Sequence, residues 1–237
     1  MRCKQSSHCS SQPEMARHAA RVDFNITRSS VTEPLHYHPE SRALQQQFDS
    51  IRLADRVAEV HVRQLLTDAD REFIGRQRMV FMATADTQGQ PECSYKGGDP
   101  GFVQVLDQNT LVLPSYNGNG MFLSTGNLRA NPQVGLLFID FEQPQRLRVN
   151  GTATVLADDP LLLRYPGAEL LLRIAVRHVF GNCPRYVPTM RFVAESAHMP
   201  RAGTVPPIPQ WKTKPIWHEV LPADDPARQV NTDRGLA

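Results

Sequence analysis

The first strong hydrophobic pattern in the chain runs from Glu40 to Leu66. Apolar residues recur there at three- and four-residue steps, which is typical of a helix with one buried face: Leu44, Phe48, Ile51, Ala54, Val57 and Val60. A second, short helix is predicted to begin at Thr67, because Thr67 can cap it and Asp68 and Asp70 suit the positive end of its dipole. We expect the first helix to cover a β-barrel with its apolar stripe.

After Arg78 the hydrophobic period shortens to that of strands. Asp86–Gly89 is predicted to be a turn, with the glycine at a position that favours positive φ. A helix of about ten residues is expected to end before Asn131 and Pro132, where the proline prevents its continuation. Short strands joined by short turns are typical of a barrel or sandwich. The predicted strands are 79–85, 90–96, 102–106, 110–114, 133–140, 145–156, 168–180 and 191–195.

Composition narrows the function classes. The 237 residues carry 26 basic and 24 acidic side chains, a net charge of +2, which gives no electrostatic reason to expect nucleic acid or a membrane surface as a partner. No apolar stretch of about 20 residues indicates a membrane span. The four cysteines form no CxxC pair or zinc pattern, so we interpret them as reduced thiols of a cytoplasmic protein. No metal site is predicted, since His36 and His38 lack a carboxylate neighbour.

Signatures of common enzyme classes are absent: the chain has no GxSxG, HExxH or GxxxxGK motif. One junction has a physical use. The loop 115–120, rich in Ser, Asn and Gly, leads into a helix, and a helix start can hold an anion with its unpaired N–H groups. Spacing alone leaves two interpretations open, an anion site and an ordinary helix entry.

Several stretches together resemble one known family. They are Phe81–Asp86 with Gly89–Pro91, Ser94–Phe102, Asn117–Phe122, Asn131–Phe138 and Asn182–Tyr186. They resemble the pyridoxamine 5′-phosphate oxidase family, and within it a bacterial branch described only as FMN-binding or related to the oxidase. The resemblance covers the chain from about Pro39 to Arg228.

The resemblance implies a mainly β (α+β) fold, a six-stranded antiparallel split β-barrel with flanking helices that binds FMN. It also implies a homodimer with two flavins at the interface. The domains expected are a disordered leader over 1–38, helices packing on the barrel over 39–77, the barrel over 78–198 and a proline-rich C-terminal tail over 199–237.

Family positions carry over to a set of cofactor-binding residues. The strand residues Ser94, Tyr95, Lys96 and Gly97 are expected along the isoalloxazine and ribityl chain. Arg146, but not its neighbour Arg148, falls at the family's flavin-side position. The full set implied is Ser94, Tyr95, Lys96, Gly97, Pro114, Ser115, Asn119, Gly120, Met121, Arg146 and Arg185.

The chain also departs from the authentic oxidase. That enzyme has a basic residue at the position of Ser94, a lysine near that of Asp99, and an Arg-Lys pair where this chain has Asn119, Gly120 and Met121. We therefore expect a flavin-dependent oxidoreductase acting on an unidentified small molecule, and no authentic oxidase activity. The alternatives are a flavin-binding carrier or sensor without turnover, and a reductase that binds the deazaflavin F420. Haem is disfavoured, because no histidine lies between Phe81 and Ala168.

Overall fold

The computed structural model describes residues 35–233. The predicted leader therefore lies outside the described residues except at 35–38. The helices are α1 (Pro39–Gln47), α2 (Ile51–His61), α3 (Asp68–Gly75), α4 (Leu123–Ala130) and α5 (Pro226–Asp233). The strands are β1 (Met79–Ala85), β2 (Pro91–Gly97), β3 (Gln104–Asp107), β4 (Thr110–Tyr116), β5 (Gln133–Asp140), β6 (Gln145–Leu156) and β7 (Ala168–Asn182). Short 3-10 helices occupy Pro160–Arg164, Gln210–Thr213 and Pro215–Trp217.

The strands form one antiparallel sheet in the order β2-β1-β5-β6-β7-β4-β3. The prediction of a six-stranded barrel is wrong, because the described sheet has seven strands and is not closed. Its two edges are β2 and β3. At the β3 edge, Arg71 of α3 donates to the Val105 carbonyl. Just outside both elements, the Leu66 N–H donates to the Gln108 carbonyl at 2.8 Å, so α3 and the residues before it lie against this edge.

One face of the sheet holds the hydrophobic core. Alternate residues of each strand point to that face, as the period of two requires. The core side chains include Val80, Met82, Leu111, Leu113, Leu136, Phe138, Val149, Leu172 and Ile174, each at most 1% exposed. The predicted bounds of β1, β5 and β6 are confirmed.

Helix α3 begins as predicted at Thr67. The Thr67 hydroxyl accepts a hydrogen bond from the Asp70 N–H, and the Asp70 carboxylate accepts one from the Thr67 N–H at 2.8 Å. The same carboxylate pairs with Arg63. Burial alone would raise the pKa of Asp70, but the hydrogen bonds from Arg63 and Thr67 outweigh it and hold that pKa below its ordinary value. Arg63 also pairs through its backbone with Val179 of β7, so this carboxylate ties the start of α3 to the sheet.

The single helix predicted over Glu40 to Leu66 is wrong in its extent. Phe48, Asp49 and Ser50 separate α1 from α2, and Asp49 has a φ of 49°. A positive φ interrupts a right-handed helix. After α2 the chain leaves the helical path at Val62, and the next residue forms the bridge to β7.

The apolar stripe of this region is not buried, contrary to the sequence prediction. Within the described chain, α1 and α2 contain no buried residue. Leu44, Phe48, Leu53 and Val60 are exposed by 57%, 73%, 66% and 58%. The two helices are held together instead by polar contacts, such as the 2.7 Å ion pair between Arg42 and Asp55 on their facing sides.

The C-terminal part also differs from the prediction. Residues 191–195 form no strand. The start of this segment binds the β5–β6 turn, because the Met190 N–H donates to the Phe141 carbonyl and the Phe192 N–H to the Glu142 carboxylate. Among residues 35–233, no helix has the length and apolar character needed to cross a membrane.

Candidate functional site

Strand β2 presents different residues on its two sides. Glu92, Ser94 and Lys96 pair with Thr84, Met82 and Val80 of β1, so they share the face that carries the core. Tyr95 and Gly97, at the alternate positions, point to the opposite face. Because β2 is the edge of the sheet, the polar side chains on its inner side are reachable from outside.

Helix α4 lies over the inner side of β2 and β1. It is short, and its buried side carries Ser124, Thr125 and Leu128. The Asn127 side-chain amide donates to the Thr84 hydroxyl at 3.2 Å, and that hydroxyl donates to the Glu92 carboxylate at 3.1 Å. These bonds fix α4 against both strands.

The Ser124 hydroxyl is the centre of a polar cluster. Its oxygen lies 2.9 Å from the Ser94 hydroxyl, 3.0 Å from a Glu92 carboxylate oxygen and 3.3 Å from the Lys96 ammonium. Burial lowers the pKa of Lys96, although the charge of Glu92 partly opposes that shift. The cluster thus combines one cation, one carboxylate and two hydroxyls at the beginning of α4.

The backbone that enters α4 has no side-chain cap. Gly120 has a φ of 78°, and Phe122, the residue before the helix, has a φ of 49° and makes no capping hydrogen bond. The Asn119 side chain accepts from the Met121 N–H at 3.1 Å, which shapes the loop. The first N–H groups of a helix carry a partial positive charge, so this start can accept an anion.

These elements enclose a cleft of about 450 Å³, here named the α4 cleft. Strand β2 contributes Glu92, Ser94 and Lys96, and the end of β4 with the loop after it contributes 115–122. Helix α4 contributes 123–125, and the C-terminal segment contributes Pro209 and Trp211. Glu92 and Lys96 are the charged side chains in this lining.

A second cleft, of about 820 Å³, lies on the other side of β2 and is here named the Tyr95 cleft. Its walls are 76–79, Tyr95 with 97–98, the β5–β6 turn 139–143 and parts of 190–199. The Tyr95 ring is 61% exposed and lies across Gly97, where a Cβ would be 2.8 Å from the Tyr95 hydroxyl oxygen. A side chain at position 97 would therefore displace the ring.

Arg78, directly before β1, holds the C-terminal residues that form the far wall of the Tyr95 cleft. Its guanidinium pairs with Glu195 at 2.7 Å and lies 4.2 Å from the centre of the Phe192 ring. This wall contributes aromatic and charged groups together. The arginine is thereby neutralised by a local partner.

The eleven predicted site residues are divided among three places. Six line the α4 cleft: Ser94, Lys96, Ser115, Asn119, Gly120 and Met121. Tyr95 and Gly97 line the Tyr95 cleft. Pro114, Arg146 and Arg185 line neither cleft.

These last three differ in their surroundings. Pro114 is buried on β4, directly before Ser115. Arg146 donates to the Cys183 carbonyl, and its Nε is buried without a partner among the described residues. Arg185 is exposed, with its guanidinium 5.9 Å from the centre of the Tyr186 ring.

Asp99, a position at which the chain departs from the authentic oxidase, is not an open negative charge. Arg201 binds it with two hydrogen bonds of 2.7 Å, and the bond from Arg201 lowers the pKa of Asp99. Burial, together with the charge of Asp99, raises the pKa of Tyr116 at the edge of the α4 cleft, so that phenol stays protonated.

Sequence reasoning missed several lining residues. Glu92 could have been found, since it shares the alternation of Ser94 and Lys96 on β2. Ser124 follows the loop that was singled out. Trp211 had no such signal, because its position depends on how the C-terminal segment folds back. No group of three or more His, Cys, Asp or Glu side chains among the described residues is placed to hold a metal ion.

Solved structures with a similar arrangement come from several bacteria. A provisionally assigned pyridoxamine 5′-phosphate oxidase of Lactobacillus delbrueckii is 23% identical, with a TM-score of 0.42, over 50% of this chain and 95% of that one. An FAD-binding protein of Mesorhizobium loti is 22% identical, with a TM-score of 0.36, over 51% and 96%. HutZ of Vibrio cholerae, described as a heme storage protein, is 21% identical, with a TM-score of 0.37, over 48% and 93%.

The family assignment comes from the sequence. No curated protein matches the chain. The sequence profile described as "Pyridoxamine 5′-phosphate oxidase" matches residues 66–188, which run from the residue before the α3 cap to the end of β7 and slightly beyond. That match spans more than half of the 237 residues. The chain belongs to the pyridoxamine 5′-phosphate oxidase family.

Proposed function

We propose that this protein binds FMN in the α4 cleft and is a flavin-dependent oxidoreductase acting on a small molecule. The observation that supports this most directly is the meeting of Lys96 with the uncapped start of α4. A lysine ammonium and unpaired backbone N–H groups are donors that hold phosphates in proteins. Membership of the family supports the same cofactor.

The residues of the α4 cleft fit such a ligand in size and in donors. Ligand pockets usually measure about 300–1,000 Å³, and the cleft lies within that range. Ser94 and Ser124 add hydroxyl donors beside Lys96. Glu92 opposes an anion, but Lys96 in the same cluster offsets its charge.

The remaining predicted residues take indirect or outer positions in this proposal. Ser115, Asn119, Gly120 and Met121 would follow the phosphate and ribityl chain. Tyr95 and Gly97 would meet the ring system only where it passes the edge of β2. Pro114 would fix the strand end before Ser115.

Arg146 and Arg185 could contact the flavin only if it extends beyond the α4 cleft, or if they reach it from a second subunit. Arg185 is exposed and free to reach a neighbouring subunit. Arg146 is the second residue of β6 and lies opposite Ile139 of β5, close to the β5–β6 turn. Both roles depend on the assembly.

We propose a homodimer as that assembly. The exposed apolar side chains of α1 and α2 support it, since an uncovered stripe of this kind marks a surface that another chain covers. A specific interface should bury more than about 1,000 Å² in total. Sedimentation at micromolar concentration should give a dimer, and Leu53→Asp should weaken it. A wild-type monomer that still binds flavin would contradict the dimer.

When bound, the flavin would supply the redox chemistry, by accepting a hydride or electrons at its ring. The chain's own part is to bind and orient. Lys96, Ser94 and Ser124 would hold the anionic end, and α4 would exclude water from the inner side of β2. Reduction by NADH or NADPH would separate an enzyme from a carrier or sensor without turnover.

The direct test is isothermal titration with FMN, with riboflavin as control. We expect FMN to bind more tightly, because riboflavin lacks the phosphate that Lys96 and α4 would hold. The absorbance spectrum of the purified protein would identify a co-purified ligand, and a deazaflavin spectrum would replace FMN by F420. Absence of binding by both FMN and riboflavin would overturn the proposal.

We also propose that the protein does not oxidise pyridoxamine 5′-phosphate at a useful rate. Two dianionic phosphates near each other need several fixed cations, and arginine is favoured for that purpose. Among the described residues that line the α4 cleft, Lys96 is the one cation. FMN-loaded protein should release neither hydrogen peroxide nor pyridoxal 5′-phosphate above background. Turnover with a micromolar KM would restore the plain oxidase assignment.

A further inference from the structure

The C-terminal segment 209–227, here named the strap, takes part in the α4 cleft. It lies outside the residues that match the family profile, yet Pro209 and Trp211 line the cleft beside the loop and α4. Trp211 packs edge-on against Trp217, with ring centres 5.9 Å apart and planes at 86°. The indole is therefore held in one orientation by another part of the strap.

Lys212 attaches the strap to the rim of the cleft. Its ammonium pairs with Asp225 at 2.6 Å and donates to the Asn117 side-chain oxygen at 2.9 Å. The Lys212 and Asp225 side chains are 8% and 6% exposed. Asn117 is a lining residue and also donates to Glu169 at 2.7 Å, so one buried cation connects the strap with the loop that precedes α4.

The Asp225 carboxylate is suited to this position. Burial alone would raise its pKa, but the hydrogen bonds from Lys212 and from the Ala227 N–H hold that pKa below its ordinary value. Both charges of the Lys212–Asp225 pair are buried and hydrogen-bonded. Separating them would leave an uncompensated buried charge, so the pair favours the observed position of the strap. The strap is thus a fixed wall of the cleft under ordinary conditions.

We propose that Trp211 is a specificity-determining residue of the α4 cleft and that Lys212 positions the strap and the Asn117 rim. The inference rests on the proposed function and sharpens it. The ligand class is a planar aromatic ring joined to an anion. The anion is held at Ser124 and Lys96, and the ring lies against the Trp211 indole of the same chain.

The chemistry of the lining supports that class. An indole offers a large flat apolar surface with little rotamer freedom, which favours a planar partner. Lys96 and the α4 start favour the anion. A ligand with only one of these two parts gains only one of the two contacts.

The first experiment separates ring from anion by titrating FMN, riboflavin and ribose 5-phosphate. Trp211→Ala should weaken FMN and riboflavin alike by about tenfold, equivalent to about 1.4 kcal/mol. It should leave ribose 5-phosphate unchanged, and Trp211→Phe should restore most of the loss. The control is Ile216→Ala, since Ile216 is an exposed apolar side chain of the strap that does not line the cleft. Wild-type flavin affinity in Trp211→Ala, or an equal loss of ribose 5-phosphate, would overturn the role of Trp211.

The second experiment needs no ligand. The double variant Lys212→Met/Asp225→Asn removes both charges, so neither is left buried alone. Amide hydrogen exchange of residues 115–121 should become faster in it by about tenfold or more, because local opening controls exchange. The matched control is Arg78→Met/Glu195→Gln, which removes a partly exposed ion pair between the residue before β1 and the C-terminal region, on the side of the Tyr95 cleft. It should leave the exchange of 115–121 as in the wild type.

The two experiments separate failure of this inference from failure of the proposed function. Unchanged exchange of 115–121 in the double variant overturns the positioning role of Lys212, whether or not flavin binds. A wild type that binds neither FMN nor riboflavin overturns the proposed function together with the ligand class. If the exchange of 115–121 is nevertheless faster in the double variant, the positioning role of Lys212 is supported.

Discussion

The two sides of β2 differ in chemistry although their residues alternate along one short strand. The inner side holds Glu92, Ser94 and Lys96 under α4. In this cleft the Ser94 and Ser124 hydroxyls hydrogen-bond to each other, and the Lys96 ammonium is partly buried. The outer side shows Tyr95 and Gly97 in a larger cleft, where Arg78 is already paired with an acid of the C-terminal region.

Residues that are consecutive in the sequence therefore lie in two different clefts. The family resemblance assigns Ser94–Gly97 as one run along a flavin, but the period of a strand sends neighbouring residues to opposite faces. Only a ligand that wraps the free edge of β2 can touch both sets. The inner side is the one with donors for an anion, so it is the side on which variants should discriminate between FMN and riboflavin.

Lys96→Met should give the largest effect. Hydrogen bonds to charged groups contribute about 1.5–3 kcal/mol, so FMN affinity should fall roughly tenfold to hundredfold while riboflavin affinity stays nearly unchanged. Titration calorimetry measures both. The control is Lys214→Met, which removes the same charge from an exposed lysine outside both clefts.

The pH dependence offers a second measurement on the same residue. The pKa of Lys96 is lowered, so its ammonium is lost at a lower pH than that of an ordinary lysine. Preference for FMN over riboflavin should be full below that pKa and fall as pH rises through it. Lys96→Met should show no such fall. An equal loss of both ligands in that variant would mean that Lys96 acts on the fold and not on the phosphate.

Arg146→Ala should have the next largest effect, about a tenfold loss of FMN affinity if the lower end of the charged hydrogen-bond range applies. Arg148→Ala is the matched control, because Arg148 lies two residues along β6 on the same face. Isothermal titration of both variants compares them directly. Equal affinities would remove Arg146 from the flavin site and leave the α4 cleft as the whole of it.

Tyr95→Ala tests the outer side. Aromatic contacts contribute about 0.5–1.5 kcal/mol beyond burial, so FMN and riboflavin should both weaken by roughly twofold to tenfold, with their ratio unchanged. Flavin fluorescence titration suits an effect of this size. A change in the ratio would show that the phosphate reaches the outer side, against the assignment made above.

Glu92→Gln should have the smallest effect and the opposite sign. Removing the Glu92 carboxylate should strengthen FMN binding by about threefold. Its repulsion of the FMN phosphate, in a partly solvated cleft, costs on the order of 1 kcal/mol or less. Riboflavin should not respond. Glu169→Gln is the control for net charge, since Glu169 lies near the rim without lining the cleft. Weaker FMN binding in Glu92→Gln would indicate that Glu92 mainly orients Ser124.

Local patterns predicted the bounds of three strands, β1, β5 and β6. The bounds of β5 and β6 follow from alternation, and the end of α4 follows from the proline at 132. The prediction of a six-stranded split barrel failed because the number and arrangement of the strands depend on what meets the two edge strands. Arg71 binds the β3 edge from α3, a contact between residues 34 apart that no local pattern contains.

The same distinction applies to the site. The loop 115–121 and two β2 residues were predicted, because their chemistry is local and their order resembles the family. The strap was not, since the bond from Lys212 to Asn117 joins residues 95 apart. Tyr95 and Gly97 were predicted as partners of Ser94 and Lys96, and strand alternation shows why they lie in a different cleft.

The Asp70 carboxylate makes the attachment of α3 to β7 sensitive to acid. Its pKa is lower in the folded chain than in an unfolded one, so its stabilising contribution is complete above the unfolded value and is lost as pH falls through the folded value. Protonation would weaken the helix cap and the ion pair with Arg63 in the same step. Acid should therefore weaken the attachment of α3 to β7.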